Sequence, residues 1–120
     1  MNLINDELEI FAPDMNISLE HIETLVKTKS DYINKTIAME ECSELIKEIS
    51  KSIRGEKNRK ELIEEMVDVI ISVQMLMKLE HIKMDDINKE YNKKMKRNLY
   101  RVDTINKIEK MKQIALFKLK

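Results

Sequence analysis

A chain of 120 residues with one Gly, one Pro, no Trp, nine Met and 37% charged residues has too few turn formers for a many-stranded sheet protein and suits long helices. Its 22 Lys and Arg balance 22 Asp and Glu, so no global charge argues for nucleic acid or an anionic membrane as a partner. The length fits one all-α domain, 1–120.

At the N-terminus, Asp6, Glu7 and Glu9 stand where a signal peptide needs cations, and no apolar run reaches the roughly 18 residues of a spanning helix. A cytoplasmic protein is the default expectation. A turn is expected around Ala12 to Asp14, and then a short helix from Ser18 to about Lys29, with Ile22, Leu25 and Val26 on its apolar side. The second helix should run from Ser30 to Ile53 and stop near "RGEKN", where Gly55 is the natural terminator. Cys42, the single cysteine, cannot close an intramolecular disulfide or a Cys-based metal site, and at an apolar helical position it reads as core filler. The third helix spans roughly Arg59 to Glu80. After a break at "HIKMDD", Asp85 is expected to cap a fourth helix carrying Ile87, Tyr91, Met95, Asn98 and Val102 along one side. The basic tail at 103–120 is less periodic; extension of that helix, packing on a partner chain and fraying are all compatible with it.

One internal repetition stands out. With an offset of 24 residues, Ala38, Glu40, Glu41, Cys42, Glu44, Leu45, Ile46 and Ile49 correspond to Leu62, Glu64, Glu65, Met66, Asp68, Val69, Ile70 and Val73, acid to acid and apolar to apolar. On a helix, Glu41 and Glu44 share a face that borders Ile37, Ala38, Leu45 and Ile49, and Glu65 and Asp68 stand in the same relation to Leu62, Val69, Val73 and Leu76. If the two helices form an antiparallel hairpin, four carboxylates meet across one seam.

Four anions beside an apolar core must be protonated, paired with cations or neutralised by a metal. All-carboxylate ligation selects hard cations such as Mg²⁺ or Mn²⁺, and Mg²⁺ commonly completes its shell with water and substrate phosphates. Glu40, Glu48, Glu61 and Glu64 read as solvated acids, paired at most with Lys47, Lys51 or Lys60. Neither His21 nor His81 has an acid three residues before it, so the Glu-x-x-His pairs of di-iron bundles are missing and both histidines read as surface or helix-end residues.

"EECSEL", a spacer and "EEMVDV" together resemble the paired motif of the MazG-like all-α nucleoside triphosphate pyrophosphohydrolase superfamily. Twenty residues separate Glu44 from Glu65, within that superfamily's range. The likeness is close over about Thr36 to Gln74 and looser up to Arg101. It implies a metal-binding core at about 30–102, with Glu41, Glu44, Glu65 and Asp68 as ligands of Mg²⁺ or, in its place, Mn²⁺. It further implies hydrolysis of a nucleoside triphosphate between the α- and β-phosphates, with a monophosphate and pyrophosphate as products, in clearance or recycling of the nucleotide pool. Glu40 and Glu64 are then candidates for the base or for partners of the ligands. "KKMKRNLYR" is similar to a stretch of the last core helix of some members; Lys94, Asn98 and Arg101 share one face there and are candidate substrate contacts, as are Lys51 and Arg54 near the hairpin turn. His21 and Phe11 are candidates for the base side by position alone.

A hairpin with one short helix before it and one helix after it leaves a thin core, and Ile71, Met75 and Leu79, on the side away from the acids, are expected to need cover. A four-helix-type core completed by oligomerisation, as a homodimer or homotetramer, is what the resemblance implies. The rival expectation is a non-catalytic helical interaction or regulatory protein whose metal site is structural or vestigial. A metal sensor or store is a third.

Overall fold

The computed structural model describes the backbone of residues 15–119 and the side chains of residues 20–119. The expected turn at Ala12 to Asp14, and Phe11, lie outside the described residues. All regular structure among them is helical: α1 (Met15–Lys27), α2 (Asp31–Ile53), α3 (Arg59–Leu79) and α4 (Met84–Lys118). None of these helices is long and apolar enough to cross a membrane. The chain divides into two units at the Ile82–Lys83 junction, so α1 to α3 and α4 are described separately.

Local chemistry sets most of the boundaries. The Ser30 hydroxyl accepts the Ile33 N–H at 3.2 Å and caps α2. At the other end Gly55 takes φ 80°, and the Gly55 and Glu56 amides reach back to the Ser52 and Lys51 carbonyls at 3.0 and 3.1 Å. This is the left-handed stop that glycine makes without strain. The same pair of bonds closes α3, from His81 to Lys78 and from Ile82 to Met77, with His81 in the left-handed position at φ 53°. His81 is thus the helix-end residue it was expected to be.

Two expected helix starts are displaced. Helix α1 begins at Met15 rather than Ser18. Helix α4 begins one residue before Asp85, and it is Asp86 whose carboxylate accepts the Lys83 N–H at 3.1 Å, because the carboxylate three residues past the cap reaches that amide. The helix continues to Lys118, so the tail extends it.

Helices α2 and α3 run antiparallel. Lys35 near the start of α2 pairs with Glu80 just past the end of α3, while at the opposite end the Asn58 amide bonds to Glu48. Helix α1 packs on α3, with Glu23 and Lys78 paired at 3.1 Å.

The buried set is small and largely polar. Ile22 and Ala38 are the buried apolar residues among those described, beside Asn34, Glu48, Asn58 and Ser72. The repeat reappears here in a form that its charge pattern did not reveal. Asn34 and Asn58 are 24 residues apart and both buried, Asn34 in the first turn of α2 and Asn58 just before α3, and each donates from Nδ2 to a carbonyl of the preceding helix. Asn34 reaches Val26 O at 3.1 Å and Lys29 O at 3.3 Å; Asn58 reaches Glu48 O at 2.8 Å.

The uncovered apolar surface differs from the expected one. Ile71, Met75 and Leu79 are only half-exposed, because α1 lies against this side of α3 and Ile71 lines the cleft between them. What stands open on α2 is Met39, Cys42, Ile46, Ile49 and Ile53, with Met39 74%, Ile46 67% and Ile53 82% exposed. Their spacing alternates three and four residues, a coiled-coil seam. The repeat counterparts on α3 are Ile63, Met66, Ile70, Val73 and Met77, the first two exposed and the rest half-buried. Cys42 is therefore on the surface of the single chain and not in its core: its row is turned about 100° from the line of Ala38, Glu41, Leu45 and Glu48 that meets α3.

Candidate metal centre

The antiparallel hairpin brings three of the four motif acids together. Glu41 of α2 and Glu65 and Asp68 of α3 each offer one oxygen, and these oxygens all lie within 4.8 Å of one another. Burial raises the Glu41 pKa first, followed by the charges of Asp68, Glu65 and Glu40 and a hydrogen bond shared with Asp68. Glu65 is raised in the same sense, by burial and then by Asp68, Glu44, Glu48 and Glu64. Every named influence on these two groups favours the neutral form, so the cluster calls for protons or a cation. A set of hard oxygen donors this close fits a divalent ion of the Mg²⁺ or Mn²⁺ type.

Glu44, the fourth expected ligand, lies outside the three-oxygen cluster. Its carboxylate is 3.9 Å from Lys47 Nζ, yet it is near enough to push Glu65 upward. Glu40 and Glu64 are exposed at the margin of the cluster, and Glu64 stands 4.0 Å from Lys60.

Glu48 departs from its reading as a solvated acid. It is 6% exposed, with Oε1 2.9 Å from Lys51 Nζ and Oε2 2.7 Å from Asn58 Nδ2. The Asn58 bond, and then the Lys51 bond, lower its pKa. A carboxylate can be buried when hydrogen-bond donors replace the lost water, and here they come from the next turn and from across the hairpin. Glu48 follows Glu41 by two helical turns, so it shares the seam; that spacing, and an asparagine just before α3, were the signals available in the sequence.

The candidate substrate contacts near the turn are engaged within the protein. Lys51 holds Glu48, and Arg54 donates to the Ser50 hydroxyl at 2.8 Å and the Glu56 carboxylate at 3.0 Å. Lys94, Asn98 and Arg101 lie exposed on α4, in the second unit. On the first unit, His21 lines a mainly apolar cleft of about 340 Å³ with Ile22, Thr24, Leu25, Ile71 and Gln74. Ile71 follows Asp68 by three residues on α3, on the flank that α1 covers.

An antiparallel helical hairpin with carboxylates gathered from both arms defines an all-α class whose acidic cluster suits a divalent cation. Residues 29–101 match the MazG nucleotide pyrophosphohydrolase domain, and the chain belongs to that family. No curated protein and no solved structure gives a significant match.

Proposed function

We propose that this protein is a Mg²⁺-dependent nucleoside triphosphate pyrophosphohydrolase that cleaves between the α- and β-phosphates of a ribo- or deoxyribonucleotide, releasing a monophosphate and pyrophosphate, and that it clears or recycles nucleotides in the cytoplasm. The observation that carries this reading is the convergence of Glu41, Glu65 and Asp68 from the two motifs within 4.8 Å, in a family of nucleotide pyrophosphohydrolases. These three, joined by Glu44, hold the cation, with Mn²⁺ as a substitute. When bound, such an ion neutralises phosphate charge and lowers the pKa of a coordinated water.

The protein's own groups supply the rest. Glu40 and Glu64 flank the ligands and are placed to accept a proton from the attacking water or to orient Glu41 and Glu65. The cleft at His21 has the size and apolar lining of a small-ligand site, and we assign it to the base. Lys94, Asn98 and Arg101, on one face of α4, are assigned to the triphosphate and sugar.

The exposed seam from Met39 to Ile53 supports a second element, a homodimer or homotetramer that buries it. The same seam favours the rival reading, a non-catalytic helical interaction protein. Turnover separates the two. Purified protein with Mg²⁺ and a panel of ordinary, deoxy and modified nucleoside triphosphates should yield monophosphate and pyrophosphate from one or a few of them, and Glu41→Gln and Asp68→Asn should both abolish the products. Folded, metal-loaded protein that cleaves none of the panel would sink the enzyme reading. Light scattering on Ile46→Glu, expected to be monomeric, tests the assembly.

A further inference from the structure

We infer that Asn58 and Glu48 form a lock that sets the register of α3 against α2 and so positions Glu65 opposite Glu41, making Asn58 a positioning residue of the metal centre. The inference rests on the metal-centre reading of the acids.

The bonding is specific. Asn58 is 8% and Glu48 6% exposed. Nδ2 of Asn58 has two protons, and both have acceptors on Glu48: the backbone carbonyl at 2.8 Å and Oε2 at 2.7 Å. The other carboxylate oxygen is held by Lys51 at 2.9 Å. Glu48 therefore has both oxygens engaged inside the protein, which suits a structural anchor better than a metal ligand. The main chain of Asn58 also opens α3, since its carbonyl accepts the Leu62 N–H at 2.9 Å.

Spacing converts this joint into placement of the ligands. Glu41 precedes Glu48 by seven residues and Glu65 follows Asn58 by seven, two turns along each arm on the same face. The lock and the acid cluster are thus successive rungs of one ladder. A slip of α3 by one residue moves it about 1.5 Å and turns it about 100°, whereas metal–ligand distances tolerate about 0.2 Å. Five residues, 54–58, connect the arms, and the ion pair at the far end, Lys35 with Glu80, is about half exposed on both sides and too weak to set the register.

Asn34 supplies an internal control. It is the repeat counterpart of Asn58, also buried, and its amide joins α1 to α2 through carbonyls alone, with no acid involved. A general loosening of the fold should follow from losing either asparagine; displacement of Glu65 should follow only from losing Asn58.

The test is Mn²⁺ binding to the full chain, read by electron paramagnetic resonance of free Mn²⁺, at a temperature where circular dichroism shows each protein to be folded. Asn58→Ala should raise the Mn²⁺ Kd roughly tenfold, as loss of a ligand's supporting group commonly does. Asn58→Asp, a good helix cap with no protons to donate to Glu48, should do the same and serves if the alanine protein does not fold. Asn34→Ala should lower Tm yet leave Kd within about twofold, and Glu48→Gln, which still accepts from Asn58, should stay within about threefold. Equal Mn²⁺ affinity in wild type and the folded Asn58 variants would overturn the lock and leave the metal centre standing. Equal losses from Asn34→Ala and Asn58→Ala would overturn it as well, as would a large loss in Glu48→Gln with none in Asn58→Ala. If the wild type takes up no Mn²⁺, the metal-centre reading fails and this proposal fails with it.

Discussion

Glu48 and the group Glu41, Glu65 and Asp68 lie two turns apart on one seam and behave as opposites. Glu48 is the more buried, yet its pKa is lowered, because an amide and an ammonium replace its water. Glu41 and Glu65 keep more contact with solvent, yet theirs are raised, by burial first and then by the other acids that crowd them. Burial alone therefore does not mark a site for a cation. What marks it is burial together with the absence of a donor: the protein satisfies one carboxylate from within and leaves three to be satisfied from outside.

The hardest way to break this contrast is to neutralise the unsatisfied group. Glu65→Gln or Asp68→Asn should weaken Mn²⁺ binding by more than roughly a hundredfold and remove nucleotide turnover, while Tm without metal holds or rises because like-charge repulsion is relieved. A marked fall in metal-free Tm would show that the cluster is internally satisfied after all. Next in size is the cation itself: Mg²⁺ at about a hundred times its Kd should stabilise the fold by about 2.7 kcal/mol, seen as a Tm rise that a chelator reverses and Glu41→Gln lacks. No Tm response to Mg²⁺ would argue against a native-state site.

pH sharpens the contrast through sign. Glu41 and Glu65 bind protons more tightly folded than unfolded, so metal-free stability should fall as pH rises from the ordinary carboxylate value of 4.5 through their raised values. Glu48 works the other way: its contribution is present above 4.5 and is lost as pH falls through its lowered value. Thermal melts from about pH 4 to about pH 8 should show the high-pH decline in wild type and not in the Glu41→Gln, Glu65→Gln double variant; a decline of equal size in both would assign it elsewhere. The smallest effects belong to the rim. Lys47→Ala and Lys60→Ala, which remove partners 3.9 and 4.0 Å from Glu44 and Glu64, should shift stability by less than about 0.5 kcal/mol and leave Mn²⁺ affinity unchanged.

The sequence carried what depends on one helix at a time. The stop at Gly55 and the start at Ser30 follow from local backbone chemistry, and the 24-residue repeat set acids on the core-bordering face of both arms, so that an antiparallel hairpin brings Glu41 to Glu65 and Asp68. Glu48, Cys42 and the cover over Ile71 depend on which neighbour lies across each face. The α2 pattern puts Glu48 on the seam by its two-turn spacing from Glu41, but the donor that separates it from a solvated acid is an asparagine of the next helix start. Ile71 and Cys42 exchanged their expected roles for one reason: α1 packs on one flank of the hairpin and not on the other.

Helix α4 adds a consequence in time. At 35 residues with none buried, it is a rod of about 52 Å whose amides are protected chiefly by their own helical hydrogen bonds. In deuterium exchange its amides should be replaced far sooner than that of buried Ser72 in α3. Where nucleotide, or a higher protein concentration, slows a stretch of that rod, the slowed amides mark where a ligand or a second chain has settled.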